Sequence, residues 1–458
     1  MHIERDAGTR MAYATAATWA FFLYFLGPAT PLIAQQLDLP LQVAGLTGIC
    51  LAAGLITAGL LGHRVIARWG RRRTGIGAAL GLAGGCLALV VAPTFVVILL
   101  AVAFSSATGS MLMNVATAAL ADRHGPSGPR AITEANAAAA WVGLLSPLLI
   151  AAAVGIGFGW RAAALVIAIT AVVVAGALAR VHLTEHPGRT TVFAVADSAV
   201  DAEPSGSPPS GSPSSGSPSS GVEEGGSPAV TGAAVTGPSV TGPSVNGPSV
   251  TGPSVTGKAP MGPLPAAFSV SLVAVVAAVG TEISLNFWGA VLISDNTGSD
   301  LAVATALLSL LIAGIAVGRT LGAGLTRRWS VTRLILGSLL LAGAGFLIVW
   351  SATALEVAAV GLFVTGVGFA LLFPLTSSVA IGHAHGRTDK AIAIIAVVMG
   401  LTMGAAPFAL GALAGAVGVT AGFAVVPLLL LVGAGAVVVA NRLSGNRVPN
   451  GPATHPDR

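Results

Sequence analysis

Ala67-Arg68-Trp69-Gly70-Arg71-Arg72-Arg73 and, 260 residues later, Arg327-Arg328-Trp329-Ser330 with Arg333 are two versions of one short basic segment. Arg68 and Trp69 recur as Arg328 and Trp329, and Arg73 recurs as Arg333. The same offset relates Arg130 to Lys390 and Pro147 to Pro407. A constant spacing across several connections and helices implies an internal duplication in one orientation, the parallel-repeat plan.

What surrounds these segments sets the class. Of the 458 residues, 54% are apolar and only 9% are charged, against about 25% charged in soluble domains. So few charges cannot cover a surface facing water, so most of the chain faces lipid. Sixty glycines fit closely approaching membrane helices. Cys50 and Cys86 each lie in an apolar run and read as small buried hydrophobes, not as a disulfide. The first apolar run is too long for a signal core and is expected to stay as a span.

About 20 apolar residues cross the hydrocarbon core. On that rule spans are predicted at 11–35, 41–62, 74–92, 95–121, 131–156 and 161–180. A second set follows at 266–293, 301–324, 333–350, 354–379, 390–414 and 421–441. The fold class is therefore an all-α membrane protein with 12 transmembrane helices in two parallel six-helix repeats. The domain limits are 1–182 and 263–444 for the two bundles, 183–262 for a linker and 445–458 for a tail.

The charges test this count. Arg5 and Arg10, the cluster from Arg64 to Arg73, Arg123, Arg130 and Arg180 all fall at one face. So do Arg319, Arg327, Arg328, Arg333, Arg387, Lys390, Arg442, Arg447, Arg458 and the linker cations Arg189 and Lys258. Of the 22 Lys and Arg residues only Arg161 lies opposite. The positive-inside rule makes the basic face cytoplasmic, with both termini inside and the cell (inner) membrane as the location. The basic cluster reads as an orientation anchor meeting lipid headgroups, and a nucleic-acid partner is not expected. The linker runs through Ser-Pro-Gly repeats and then a Val-Thr-Gly-Pro-Ser pentapeptide from Val235 to Gly257. It has almost nothing to bury and reads as a disordered tether.

With these features in hand, the chain resembles the major facilitator superfamily. Ala67-Arg68-Trp69-Gly70-Arg71-Arg72 and its weaker repeat at Arg328 carry the resemblance. Gly280-Thr281-Glu282 with Trp288, Gly318-Arg319, and Gly366-Val367-Gly368 with Phe373-Pro374 are similar to the fucose-permease-like branch. The resemblance implies a transporter whose spans one, four, seven and ten line a central cavity. Three positions depart from the family pattern. Ala67 stands where an Asp is usual, and Phe104 lies about where span four usually has an Arg. Span five reads Gly143-Leu144-Leu145-Ser146-Pro147, without the Gly-Pro-x-x-Gly-Gly run of drug antiporters.

Glu282 is the main candidate for chemistry. A carboxylate deep in a span costs at least ~2.5 kcal/mol to insert, and such acids carry function by default. It is a candidate proton carrier, with Asn286 one turn further on the same face. The alternative is that Glu282 bonds a neighbouring helix and only fixes packing. Further candidate substrate contacts are Ser110 and Asn114 in the polar stripe Ser106-Ser110-Asn114-Thr117, Trp19 and Tyr24 in span one, and Thr376 in span ten. Helix–helix hydrogen bonding, at ~0.6 kcal/mol per pair, is the competing reading for each hydroxyl. Arg68, Gly70, Arg71, Arg319, Arg328, Pro147 and Pro407 are assigned gating or structural roles. Glu134, in the first turn of span five, reads as structural beside Arg130. Gly280 is expected to loosen span seven, and Pro28, Pro31 and Pro374 to bend their helices.

Other patterns carry no site. Gly252 to Lys258 imitates a phosphate loop but ends in Ala259 and follows no strand. Gly155, Gly157 and Gly159 form a helix end, and His383 and His385 lack companion metal ligands. No cofactor or enzymatic group is expected. The reading is a monomeric secondary transporter of a small-molecule substrate with proton coupling. The alternatives are a drug or metabolite exporter and a non-transporting sensor or scaffold acting through the linker. Deleting residues 190–258 should leave most transport activity in a vesicle assay, whereas a scaffold would lose its function.

Overall fold

A computed structural model describes residues 5–181 and 264–445, except 327 and 386. The expected tether and nearly all of the tail lie outside the described residues. Twelve helices are long and apolar enough to span a membrane. The first half contains α1 (Ala7–Leu37), α2 (Leu41–Gly62), α3 (Arg64–Val91), α4 (Phe95–His124), α5 (Ala131–Gly155) and α6 (Trp160–Arg180). The second contains α7 (Ala266–Thr297), α8 (Leu301–Gly322), α9 (Val331–Trp350), α10 (Leu355–Gly382), α11 (Lys390–Val417) and α12 (Val419–Leu443). These follow the sequence expectation to within about four residues, except that α3 starts at Arg64 and not near residue 74, because its helix runs on through the basic segment beyond the apolar core. No strand occurs among the described residues. An even number of crossings puts the first and last helix ends at one face, called here the terminal face.

Local chemistry sets the helix limits. Asp6 caps α1 by accepting the Thr9 amide at 2.9 Å, and Asp300 caps α8 from Ala302 at 2.7 Å. From Leu46 to Val91 the backbone stays helical except at Gly70, inside α3, where φ is 76°. Only glycine adopts that conformation freely, which explains Gly70 in the quoted basic segment. The α5 helix breaks at Leu144 and α10 at Ala370–Leu371. Both breaks fall where a proline, Pro147 or Pro374, would press its ring on the carbonyl four residues back. The α1 helix runs unbroken through Pro28 and Pro31, and α11 through Pro407. At Gly280 α7 is continuous, and a Cβ there would meet Thr402 at 3.4 Å, an ordinary contact that other residues could make.

Polar clamps tie the terminal face of the first half. Arg71 pairs with Asp122 at 2.5 Å, joining the start of α3 to the end of α4. Arg72 donates to the carbonyls of Leu178 and Ala179, which the end of α6 leaves without helical partners. Arg123 pairs with Asp6, and Thr9 bonds His124 at 2.9 Å. Glu134 accepts from Arg5 and from the Tyr13 hydroxyl, both at 3.2 Å, which makes it a bracket between α1 and α5. Arg68 and Arg328 are exposed, and Trp69 and Trp329 are 58% and 57% exposed in their matching positions. Such a pair suits the headgroup layer, where Trp prefers to lie. At the opposite face Arg161 donates to Gln36 at 2.7 Å and to the Ala92 carbonyl at 3.1 Å. The one cation on that face is thus held by the ends of α1 and α3.

Both halves belong to one compact unit. They meet along α2 and α11 through small residues. A Cβ on Gly411 would lie 2.8 Å from the Leu41 carbonyl, and one on Gly404 2.8 Å from Ala52 Cβ. Gly45 faces Phe408 Cα at 2.9 Å and Gly400 faces Ile56 at 3.2 Å on the same measure. This seam runs from the face opposite the termini to Ile56. One turn further Gly59 continues the stripe, and nothing lies within 4 Å of its added Cβ. Along α2 and α11 the halves are therefore packed closest at the end away from the terminal face, and the stripe stands open at Gly59. Replacing Gly404 by Leu should destabilise the protein by roughly 1–3 kcal/mol through overpacking. A drop in the Tm of the detergent-solubilised variant, with Gly59→Leu near wild type, would confirm the seam.

Candidate functional site

Burial locates the centre of the bundle. In their most apolar windows α1 is 89% buried and α7 and α8 each 61%, against 28–50% for the other nine helices. Within this enclosure α1 is buried from Thr15 to Ala34 except at Leu23 and Tyr24. From Ala277 to Ala290 every residue of α7 is buried except Glu282. Arg319 of α8 is likewise only half-buried.

These three side chains converge. Arg319 lies near enough to Tyr24 and to Glu282 for its charge to act on both. Arg71–Asp122 and Arg123–Asp6 close into direct ion pairs, but Glu282 and Arg319 do not. An acid and a base thus share the interior of the second half, and Tyr24 of the first half lies near both. The ring of Tyr24 is held against α5, where a Cβ on Gly143 would meet its Cδ2 at 2.3 Å. In sequence Arg319 counts as a cation at the end of span eight. The helix continues to Leu325, so Arg319 sits within it and turns inward.

The remaining candidates lie elsewhere. Asn286 is buried against Gly27 of α1, and its Oδ1 has no partner. Asn114 donates to the Ala58 carbonyl at 3.4 Å, and Ser106 fits against Gly54. The polar stripe of α4, to which Ser110 belongs, therefore follows the small residues Gly54, Ala58 and Gly62 of α2. Trp19 packs on Gly109 and begins an aromatic row through Phe22 and Phe25 to Trp160. The Thr376 hydroxyl donates to the Leu372 carbonyl of its own helix at 2.7 Å, and Thr365 does the same to Gly361. Pro147 is buried beside Ser146, which donates to the Phe21 carbonyl at 2.6 Å. The Pro407 carbonyl accepts the Trp288 indole N–H at 2.7 Å, fastening α7 to α11. Sequence spacing gave no sign of this last bond.

Two titratable groups lie outside the spans, at the terminal face. Burial pushes the Asp6 carboxyl up, but its bonds from Arg123 and Thr9 outweigh this and hold it at about 2. Burial, with His385 nearby, pushes His383 below the usual histidine range, and its Nδ1 meets Ser271 at 2.8 Å. Among the described residues no group of ligating side chains could hold a metal ion.

Two parallel six-helix repeats around a central polar site define a multi-pass membrane transporter, not an enzyme. The chain matches the family model described as Major Facilitator Superfamily over residues 13–280, more than half its length, and belongs to that family. No curated protein gives a significant match. Among solved structures, a bacterial homolog of the human lysosomal transporter Spinster, inward-facing and occupied, superposes with a TM-score of 0.66 at 13% identity, covering 96% of this chain and 98% of that one. For the nucleoside transporter NupG the TM-score is 0.62 at 9% identity, with 96% and 98% covered. FucP in the outward conformation gives 0.56 at 13% identity, with 94% and 98% covered. At these identities the likeness is one of fold, and it includes the fucose-permease-like branch that the motifs resemble.

Glu282 keeps accessible surface amid fully buried neighbours instead of filling the core, so Glu282→Gln should leave the Tm unchanged or raise it. A fall of several degrees in a thermal-unfolding assay would mark Glu282 as a packing residue.

Proposed function

We propose that the protein is a secondary active transporter that moves a small organic solute by alternating access, with proton coupling through Glu282. One observation carries this reading: Glu282 is the single accessible residue in a stretch of α7 that is otherwise fully enclosed. A carboxylate kept in the interior at a cost of at least ~2.5 kcal/mol is there to be used. Tyr24 belongs to the first half, while Glu282 and Arg319 belong to the second. A rocking motion of the halves changes the surroundings of Glu282, which links its proton to the motion.

The charge map supports a cytoplasmic terminal face in the inner membrane. On that orientation the α2–α11 seam is packed closest at the outer side and stands open inward. A single chain supplies both halves of the site, in keeping with a monomer. The interior charges weigh against a purely apolar drug cavity, and with the absent span-five motif they disfavour the exporter reading.

In proteoliposomes the wild type should concentrate its substrate in response to an imposed pH gradient, about tenfold per pH unit at one proton per cycle. Glu282→Gln should abolish that accumulation yet preserve exchange of labelled for unlabelled substrate. Undiminished accumulation by the variant would remove Glu282 from the coupling step.

A further inference from the structure

We infer that the second half binds an anionic phospholipid at the terminal face. Its phosphate is held between Arg333 of α9 and Arg442 of α12, and an acyl chain lies along the lipid-facing flank of these two helices.

One hydrogen bond fixes the geometry. The Asn441 amide donates to the Thr332 hydroxyl at 2.9 Å, so these residues face each other across the α9–α12 contact. The two helices run in opposite directions. The next residue on each, Arg333 and Arg442, is therefore turned by about 100° to the same side of that contact. The other side is closed by protein. On α9 Ile335, Ala342 and Phe346 are fully buried, and on α12 Gly433 packs against Ala277 of α7. The side bearing the arginines faces lipid, with Leu340 of α9 75% exposed and Leu431 of α12 70%. Between the leucines and the arginines stand Gly337 and Gly435, and nothing lies within 4 Å of a Cβ added to either. Gly337 is five residues from Thr332 and Gly435 six from Asn441, which puts both roughly 7–9 Å deeper in the membrane. Two open notches at one depth make an apolar trough leading away from the paired cations.

Charge and the internal repeat supply the ligand class. Both arginines are exposed, and neither side chain has a hydrogen bond or ion pair among the described residues. The acids of the second half lie elsewhere: Asp295, Asp300 and Glu356 at the opposite face, Glu282 in the interior, and Asp389 beside Lys390 ahead of α11. Nor does Arg333 serve its own helix, since the macrodipole opposes a cation in the first turn. The first half's clamp is missing here, because Arg71, Arg72 and Asp122 become Val331, Thr332 and Gly382. Yet Arg73, Gly77, Leu80 and Leu87 of α3 reappear as Arg333, Gly337, Leu340 and Leu347 of α9. The four leucines are exposed and both glycines are open, so no protein contact accounts for the match. What these positions share is lipid. Two guanidinium groups grip a phosphate through charge-assisted hydrogen bonds, and a cytoplasmic terminal face meets the anionic leaflet.

The test titrates the purified full chain in neutral detergent with dioleoyl phosphatidylglycerol, dioleoyl phosphatidylcholine or inorganic phosphate. Phosphatidylglycerol should raise the apparent Tm by a few degrees and the other two should not, because only a ligand of the native state stabilises it. Arg333→Gln with Arg442→Gln should need at least about tenfold more phosphatidylglycerol for the same rise. Arg447→Gln with Arg458→Gln, an equal change of charge, should respond like wild type. Gly337→Leu with Gly435→Leu fills open space, so its Tm without lipid should stay near wild type while the lipid response is lost. A wild-type response from the Arg333 and Arg442 pair, or from the glycine pair, would overturn the inference. So would an equal rise with phosphatidylcholine, or one with inorganic phosphate that matches phosphatidylglycerol and marks a free-anion site. A dimer in light scattering that the glycine variant dissolves would assign the flank to a second copy of the chain, and the lipid site would fall.

Discussion

Hydrocarbon offers no partner to a peptide N–H or C=O, and each one left unpaired costs several kcal/mol. That constraint decides most of this molecule. It makes every crossing a helix, and it sends nearly all the Lys and Arg residues to one face. It also removes the usual hydrophobic drive between helices, since lipid tails are as apolar as Leu. Cohesion then falls to close contact, which is why glycines mark the seams. Gly404 against Ala52 and Gly54 against Ser106 bring backbones to distances that a methyl group would block.

The same constraint gives the interior charges their meaning. Several polar groups that serve structure here close at short range: Arg71 on Asp122, Trp288 on the Pro407 carbonyl, and Ser146 on the Phe21 carbonyl. Glu282 and Arg319 differ, since they interact through space and keep accessible surface. The two halves also divide their labour. The first half carries the ion-paired clamps at the terminal face and lends Tyr24 to the centre. The second half carries both interior charges, with Gly382 standing where Asp122 lies 260 residues earlier.

Much of this is written in the one-dimensional pattern. Run lengths of apolar residues fix the number of spans, because bilayer thickness and helix rise are constants. The one-sided cations fix the common face of the two ends, and the offset between Arg68-Trp69 and Arg328-Trp329 fixes the duplication. Gly70 could be singled out because one residue type alone enjoys a positive φ. Glu282 was legible for a related reason, since an acid amid apolar neighbours has no inexpensive explanation.

Tertiary structure decided the direction of each polar side chain. Helical spacing puts Ser110, Asn114 and Thr117 on one stripe, but only the rotation of α4 turns that stripe towards Gly54, Ala58 and Gly62. Trp19, Thr376 and Asn286 have the chemistry of ligand contacts, and packing buries each of them against a glycine or its own helix. Arg319 is the reverse case. By sequence it is a cation near a helix end, indistinguishable from a snorkelling anchor. Its partners are 295 residues before it and 37 before it, on two other helices. Periodicity records which residues share a face of one helix, and it holds nothing about what stands opposite. That is why the chain alone announced a transporter with a deep acid, and only the assembled bundle supplied the base across from it.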